Sequence, residues 1–72
     1  MTDEKFLKLV GEHIVDLRQK RSLSQADLAK DVKTSKNTIG RIERGEVNPS
    51  VIMLRGIARE LKTTVARIVD VE

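Results

Sequence analysis

Leu23–Gly45, LSQADLAKDVKTSKNTIGRIERG, decides the fold. It reads as two short helices joined by a tight turn. Ser24 offers a cap to a helix that starts at Gln25 and runs to about Val32, and Asp27 stands at its third position, where a carboxylate suits the helix dipole. Ser35 offers a cap to a second helix, Lys36 to about Arg44, and Gly45 closes it as a left-handed terminator. A steep helix crossing needs small or branched apolar residues at the contact. Leu28, Ala29 and Val32 supply them from one side, Ile39 and Ile42 from the other. A side chain larger than Ala29 would push the pair apart, and the turn Lys33-Thr34-Ser35 is short enough to hold a fixed angle. With Ile39 and Ile42 inward, Lys36, Asn37, Gly40 and Arg41 face outward.

Apolar spacing of three and four continues on both sides of this pair, and strand signals are nearly absent, so the chain reads as all-α with five helices. The first spans about Asp3–Lys20, with Phe6, Val10, Ile14 and Leu17 on one stripe, and Ser22–Ser24 breaks it. After the loop Glu46-Val47-Asn48-Pro49, Ser50 caps a fourth helix, Val51–Leu61, with Leu54, Ile57, Ala58 and Leu61 inward. Thr64 caps a short fifth helix, Val65 to about Val69. Residues 1–72 are read as one small domain, whose core is marginal unless packing is well idealised or a partner adds buried surface.

Charge narrows the function. The net charge is +3, but Arg18–Arg44 carries eight basic and three acidic residues, a local +5, against −2 for the remainder. This pattern fits either a surface facing a polyanion or a solvated charged face. With no cysteine there is no disulfide and no thiolate metal site. His13, the single histidine, has no second histidine to share a metal and reads as an ordinary helix-surface residue. No cofactor, no metal and no nucleophile–base constellation is expected, so the chain is not read as an enzyme. The apolar runs are too short to span a membrane and the acidic start is unlike a signal peptide, so a cytoplasmic protein is expected.

The outward residues suit double-stranded DNA. Lys36 and Asn37 stand in the first turn of their helix, the part that reaches base edges when a helix enters the major groove. Asn matches adenine, while Arg41 and Lys36 match guanine acceptors or phosphates. Base-contacting candidates are therefore Lys36, Asn37 and Arg41. Backbone-contacting candidates are Ser24, Gln25, Lys33, Ser35, Thr38, Arg44 and Asn48. Gln25 begins its helix, where side chain and amide can meet a phosphate.

Three motifs, Gln25-Ala26-Asp27-Leu28-Ala29, Ile39-Gly40-Arg41-Ile42-Glu43-Arg44-Gly45 and Asn48-Pro49-Ser50, make the chain resemble the phage repressor and Cro-type (xenobiotic-response-element) helix-turn-helix family over about Val10–Val69. The resemblance implies a five-helix domain that binds operator DNA, usually as a dimer on a pseudo-palindrome, with the helix-turn-helix at about 25–44. It also implies that Arg18 and Glu43 form a largely buried, structural ion pair. The chain departs from the family pattern at Lys33 and Lys62, where glycine is common; a left-handed conformation there costs about 1–2 kcal/mol. Gly40 is a second oddity, costing about 1 kcal/mol relative to alanine inside a helix. It reads either as room for close approach to sugar or base, or as tolerance at an exposed position.

Helices four and five carry more apolar residues than one core stripe uses. Ile52, Met53, Val65, Ile68 and Val69, within a dimerisation end at about 51–71, are the expected dimer interface. The reading is a homodimeric, sequence-specific transcription regulator with no small-molecule effector evident; compact members of the family include restriction–modification controller proteins, phage Cro-like repressors and antitoxins, and the long first helix makes the chain look most like a controller protein. The alternative is an antitoxin-like or regulator-sequestering protein-interaction module with secondary DNA binding.

Overall fold

The computed structural model describes all 72 residues. It contains five α-helices and no strand: α1 (Asp3–Lys20), α2 (Gln25–Asp31), α3 (Lys36–Glu43), α4 (Val51–Glu60) and α5 (Val65–Val69). Each begins on a serine or threonine whose side-chain oxygen accepts a backbone N–H of the first turn. The caps are Thr2, Ser24, Ser35, Ser50 and Thr64. At α2 the arrangement is reciprocal, because Asp27 also accepts the Ser24 backbone N–H. Those bonds hold the Asp27 carboxyl below its ordinary range, the backbone bond contributing most.

Helix endings repeat as closely as helix starts. Ser22, Lys33, Gly45 and Lys62 follow α1, α2, α3 and α4, all in the left-handed region with φ of 56°, 60°, 74° and 56°. Each lies in the same pair of bonds. At α2, Thr34 N–H reaches the Ala29 carbonyl and Lys33 N–H the Lys30 carbonyl; at α4, Thr63 reaches Ala58 and Lys62 reaches Arg59. This is the Schellman motif, which normally selects glycine. Only α3 uses one. Lys33 and Lys62 thus adopt the left-handed conformation raised by the sequence, and Ser22 joins them.

The core is one cluster: Val10 and Ile14 of α1, Leu28 and Ala29 of α2, Ile39 and Ile42 of α3, Leu54, Ile57 and Ala58 of α4, with Leu61 and Ile68. Phe6, Leu17, Val32, Met53, Val65 and Val69 pack against it half-buried. α3 lies between α2 and α1, while α4 and α5 close the other side. Where α1 passes the end of α3 the backbones nearly touch at Gly11. A methyl group there would stand 2.7 Å from the Ile42 carbonyl oxygen and collide with that of Glu43. His13, expected as an ordinary helix-surface residue, is only partly at the surface. It is half-buried, and its Nδ1–H donates to the Ile68 carbonyl at 3.0 Å, tying α1 to the end of α5.

Candidate nucleic-acid interface

The apolar side of α3 is spent on the core, and what it leaves outward follows from helical spacing. Ile39, Ile42 and Glu43 are buried, while Lys36, Asn37 and Arg41 are exposed. The Ser35 Oγ caps α3 through the Thr38 N–H at 3.0 Å and lies 2.8 Å from the Thr38 hydroxyl, so the entry to the helix is held by two contacts. Ser24, Lys33, Arg44 and Asn48 are exposed; Gln25 and Thr38 are half-buried.

The angle of α3 is held from behind by a charged cluster. Arg18 Nε donates to Glu43 Oε2 at 2.7 Å and its Nη2 to Oε1 at 3.1 Å, while Nη1 donates to the Leu23 carbonyl at 2.9 Å. The two side chains are 11% and 3% exposed. One residue of α1 therefore grips both the end of α3 and the segment entering α2. Gln25 completes the cluster: its Nε2 donates to Glu43 Oε1 at 2.8 Å. Part of the Gln25 amide is thereby committed to holding Glu43.

Two further expectations change. Gly40 does not face open solvent; it is buried, and a methyl group on it would meet Arg44 Nη1 at 3.0 Å and the Gln25 amide at 3.7 Å. Gln25, Lys36, Asn37, Gly40 and Arg44 line one open depression that contains no hydrophobic side chain. Arg44 in turn is not a free cation. Its Nε and Nη2 donate to Glu46 Oε2 and Oε1 at 2.6 and 3.4 Å. Glu46 Oε1 also stands 4.0 Å from Arg41 Nε. The hydrogen bond between them lowers the Glu46 carboxyl and raises the Arg44 guanidinium from their ordinary values. Glu46 was missed by the sequence reading, and only its spacing from two arginines hinted at it. Asn48 lies elsewhere, beside Asp3, Phe6 and Leu7 at the start of α1.

The expected dimer surface is only partly at the surface. Ile68 is 0% exposed and belongs to the core, because the second turn of α5 points it under α1 and α4; its place among interface residues is withdrawn. Met53, Val65 and Val69 are half-buried against the same core. Ile52, at 67% exposed, is the large apolar side chain left outside, and Val51, at 71%, joins it though the sequence reading passed over it. Ile52 lines a depression with Val32, Lys33, Arg55 and Arg59, between the end of α2 and α4, with no residue of α5. No helix is long and apolar enough to cross a membrane.

Comparison with known proteins places this geometry. The HTH_3 family model, described as Helix-turn-helix, matches residues 14–68. The immunity repressor protein of Bacillus phage phi105 is 36% identical over 63 residues, which make up 88% of this chain and 44% of that protein. The chain thus spans less than half the length of this curated relative. Among solved structures, the restriction-modification controller protein C.AhdI from Aeromonas hydrophila matches with a TM-score of 0.83 at 27% identity, covering 86% of this chain and 94% of that one. An HTH_3 family transcriptional regulator from Vibrio cholerae matches with a TM-score of 0.83 at 33% identity, covering 93% of this chain and 38% of that one. The clp gene regulator ClgR from Corynebacterium glutamicum, at 21% identity and a TM-score of 0.84, shares the fold.

Proposed function

The chain belongs to the HTH_3 helix-turn-helix family, and from that premise we propose that it is a transcription regulator that inserts α3 into the major groove of double-stranded DNA. The observation that carries the proposal is the division of α3. Ile39, Ile42 and Glu43 anchor it to α2 and α1, so that Lys36, Asn37 and Arg41 project from a helix whose angle is fixed by the Arg18–Glu43–Gln25 cluster. Rigid presentation lets a short helix discriminate bases, because each bidentate base contact is worth about 1–3 kcal/mol only when both of its bonds are met together. In this reading Asn37 and Arg41 read bases. Lys36 reaches a base or a phosphate, and Ser24, Gln25, Lys33, Ser35, Thr38, Arg44 and Asn48 meet the sugar–phosphate backbone.

The working unit proposed is a homodimer on a pseudo-palindrome, which would set two copies of α3 in successive major grooves about 34 Å apart. The exposed pair Val51–Ile52 supports an association surface at the start of α4. Likeness over 94% of a restriction-modification controller protein, at 27% identity, supports a regulator that acts as that protein does. The test is an amide chemical-shift titration with duplex DNA. Shifts concentrated on residues 24–26, 33–41 and 44–48 are expected; shifts confined to α4 and α5 would sink the reading, and no shifts at all would favour a protein-interaction module.

A further inference from the structure

We propose that Glu46 is a built-in competitor of DNA phosphate that restrains binding by occupying Arg44. The inference rests on the DNA-binding reading above and adds a regulation of the same surface. A guanidinium grips a phosphate as it grips a carboxylate, by two parallel N–H donors. In this chain the Nε and Nη2 donors of Arg44 are both turned to Glu46, at 2.6 and 3.4 Å. The paired guanidinium lies across Gly40, within the depression that Lys36 and Asn37 also line, so Arg44 is held at the DNA-facing side of α3. The same carboxylate stands 4.0 Å from Arg41, a second cation of that face.

Position and exposure make the exchange feasible. Glu46 follows Gly45 immediately after α3, and its backbone is fixed by the N–H bond to the Arg41 carbonyl at 2.9 Å. Its carboxylate therefore stays beside the two arginines rather than drifting with a loose loop. Both partners of the pair are about half exposed, at 56% and 49%. Exposed pairs are weakly held and screened by salt, so a polyanion can displace the carboxylate at small cost. Displacement frees a cation and leaves a negative charge beside the DNA, which lowers affinity. Because phosphates are alike at every site, the restraint acts equally on specific and unrelated DNA.

The experiment measures dissociation constants for a random-sequence duplex across a range of salt concentrations. The proteins are the wild-type chain, Glu46→Gln, Arg44→Ala and the double variant, with helix content checked by circular dichroism. Glu46→Gln should tighten binding several-fold and steepen the slope of log K against log salt by up to about 0.9, because the displaced carboxylate of the wild type takes back a counterion that the amide does not. In the Arg44→Ala background the same change should lose most of its effect. A gain that persists undiminished without Arg44 would show general charge repulsion and overturn the proposal, as would an unchanged salt slope. A wild-type chain that binds no duplex overturns the DNA-binding reading, and this inference with it, so the two failures are told apart by the wild type alone.

Discussion

Asn37 and Arg41 are exposed on one face of α3, while Glu43, on the other side, is buried under Arg18. Substitutions at the two places should therefore have opposite signatures. Asn37→Ala and Arg41→Ala should leave the fold intact and relax base preference at a few operator positions, by about 1–3 kcal/mol per lost bidentate contact. The check is affinity for single-base variants of a selected site. Glu43→Ala instead strands the Arg18 guanidinium and should cost about 3–5 kcal/mol of stability, read by urea denaturation. A cost below 1 kcal/mol would mean that water reaches Arg18 freely. The sequence carried Lys36, Asn37 and Arg41 as outward because helical spacing dictates it, though not the burial of Gly40, and the ion pair because the motif resemblance implied it. Gln25 was legible only as a residue at a helix start. An amide there looks the same whether it faces solvent or, as here, a buried carboxylate. The Arg44–Glu46 bond was hidden for a similar reason: both are surface residues whose rotamers no pattern fixes.

Helix boundaries were read closely because their signals are local chemistry. Ser24, Ser35, Ser50 and Thr64 all cap where the sequence placed them. The stops were harder to read. Three of four Schellman endings use Ser22, Lys33 and Lys62 in place of glycine; the family pattern pointed to Lys33 and Lys62, while Ser22 is revealed only by its φ and by the bonds to residues three and five positions back. Each carries a conformational cost that glycine would remove. Lys62→Gly should stabilise by about 1 kcal/mol, raising Tm by roughly 4–8 °C in a domain of this size. Lys33→Gly should give a similar gain in Tm while reducing the DNA salt slope by about 0.9, if Lys33 contacts one phosphate. An unchanged slope removes Lys33 from the interface. Gly11 was invisible to pattern, since glycine inside a helix reads as mere tolerance until the α3 carbonyls are seen against it.

Over the whole molecule, the sequence showed a surplus of apolar residues in α4 and α5 but not its distribution. Ile68 turns inward because the core needs a closing residue beneath α1, and the surplus left in water shrinks to Val51 and Ile52. Replacing these two by lysine and glutamate should leave stability within about 0.5 kcal/mol, as exposed positions do. If the start of α4 joins two copies, the change should shift the mass seen by light scattering from dimer to monomer. An unaltered mass would move the association surface elsewhere. The central claim, that α3 held by the Arg18–Glu43–Gln25 cluster reads DNA sequence, is tested most directly by selecting bound duplexes from a random library at about 0.15 M salt, near the physiological value, with the wild-type chain and Asn37→Ala. The wild-type chain should enrich a pseudo-palindrome with half-sites about one helical turn apart, blurred at specific positions by the variant. Recovery of the library without enrichment would contradict the central claim.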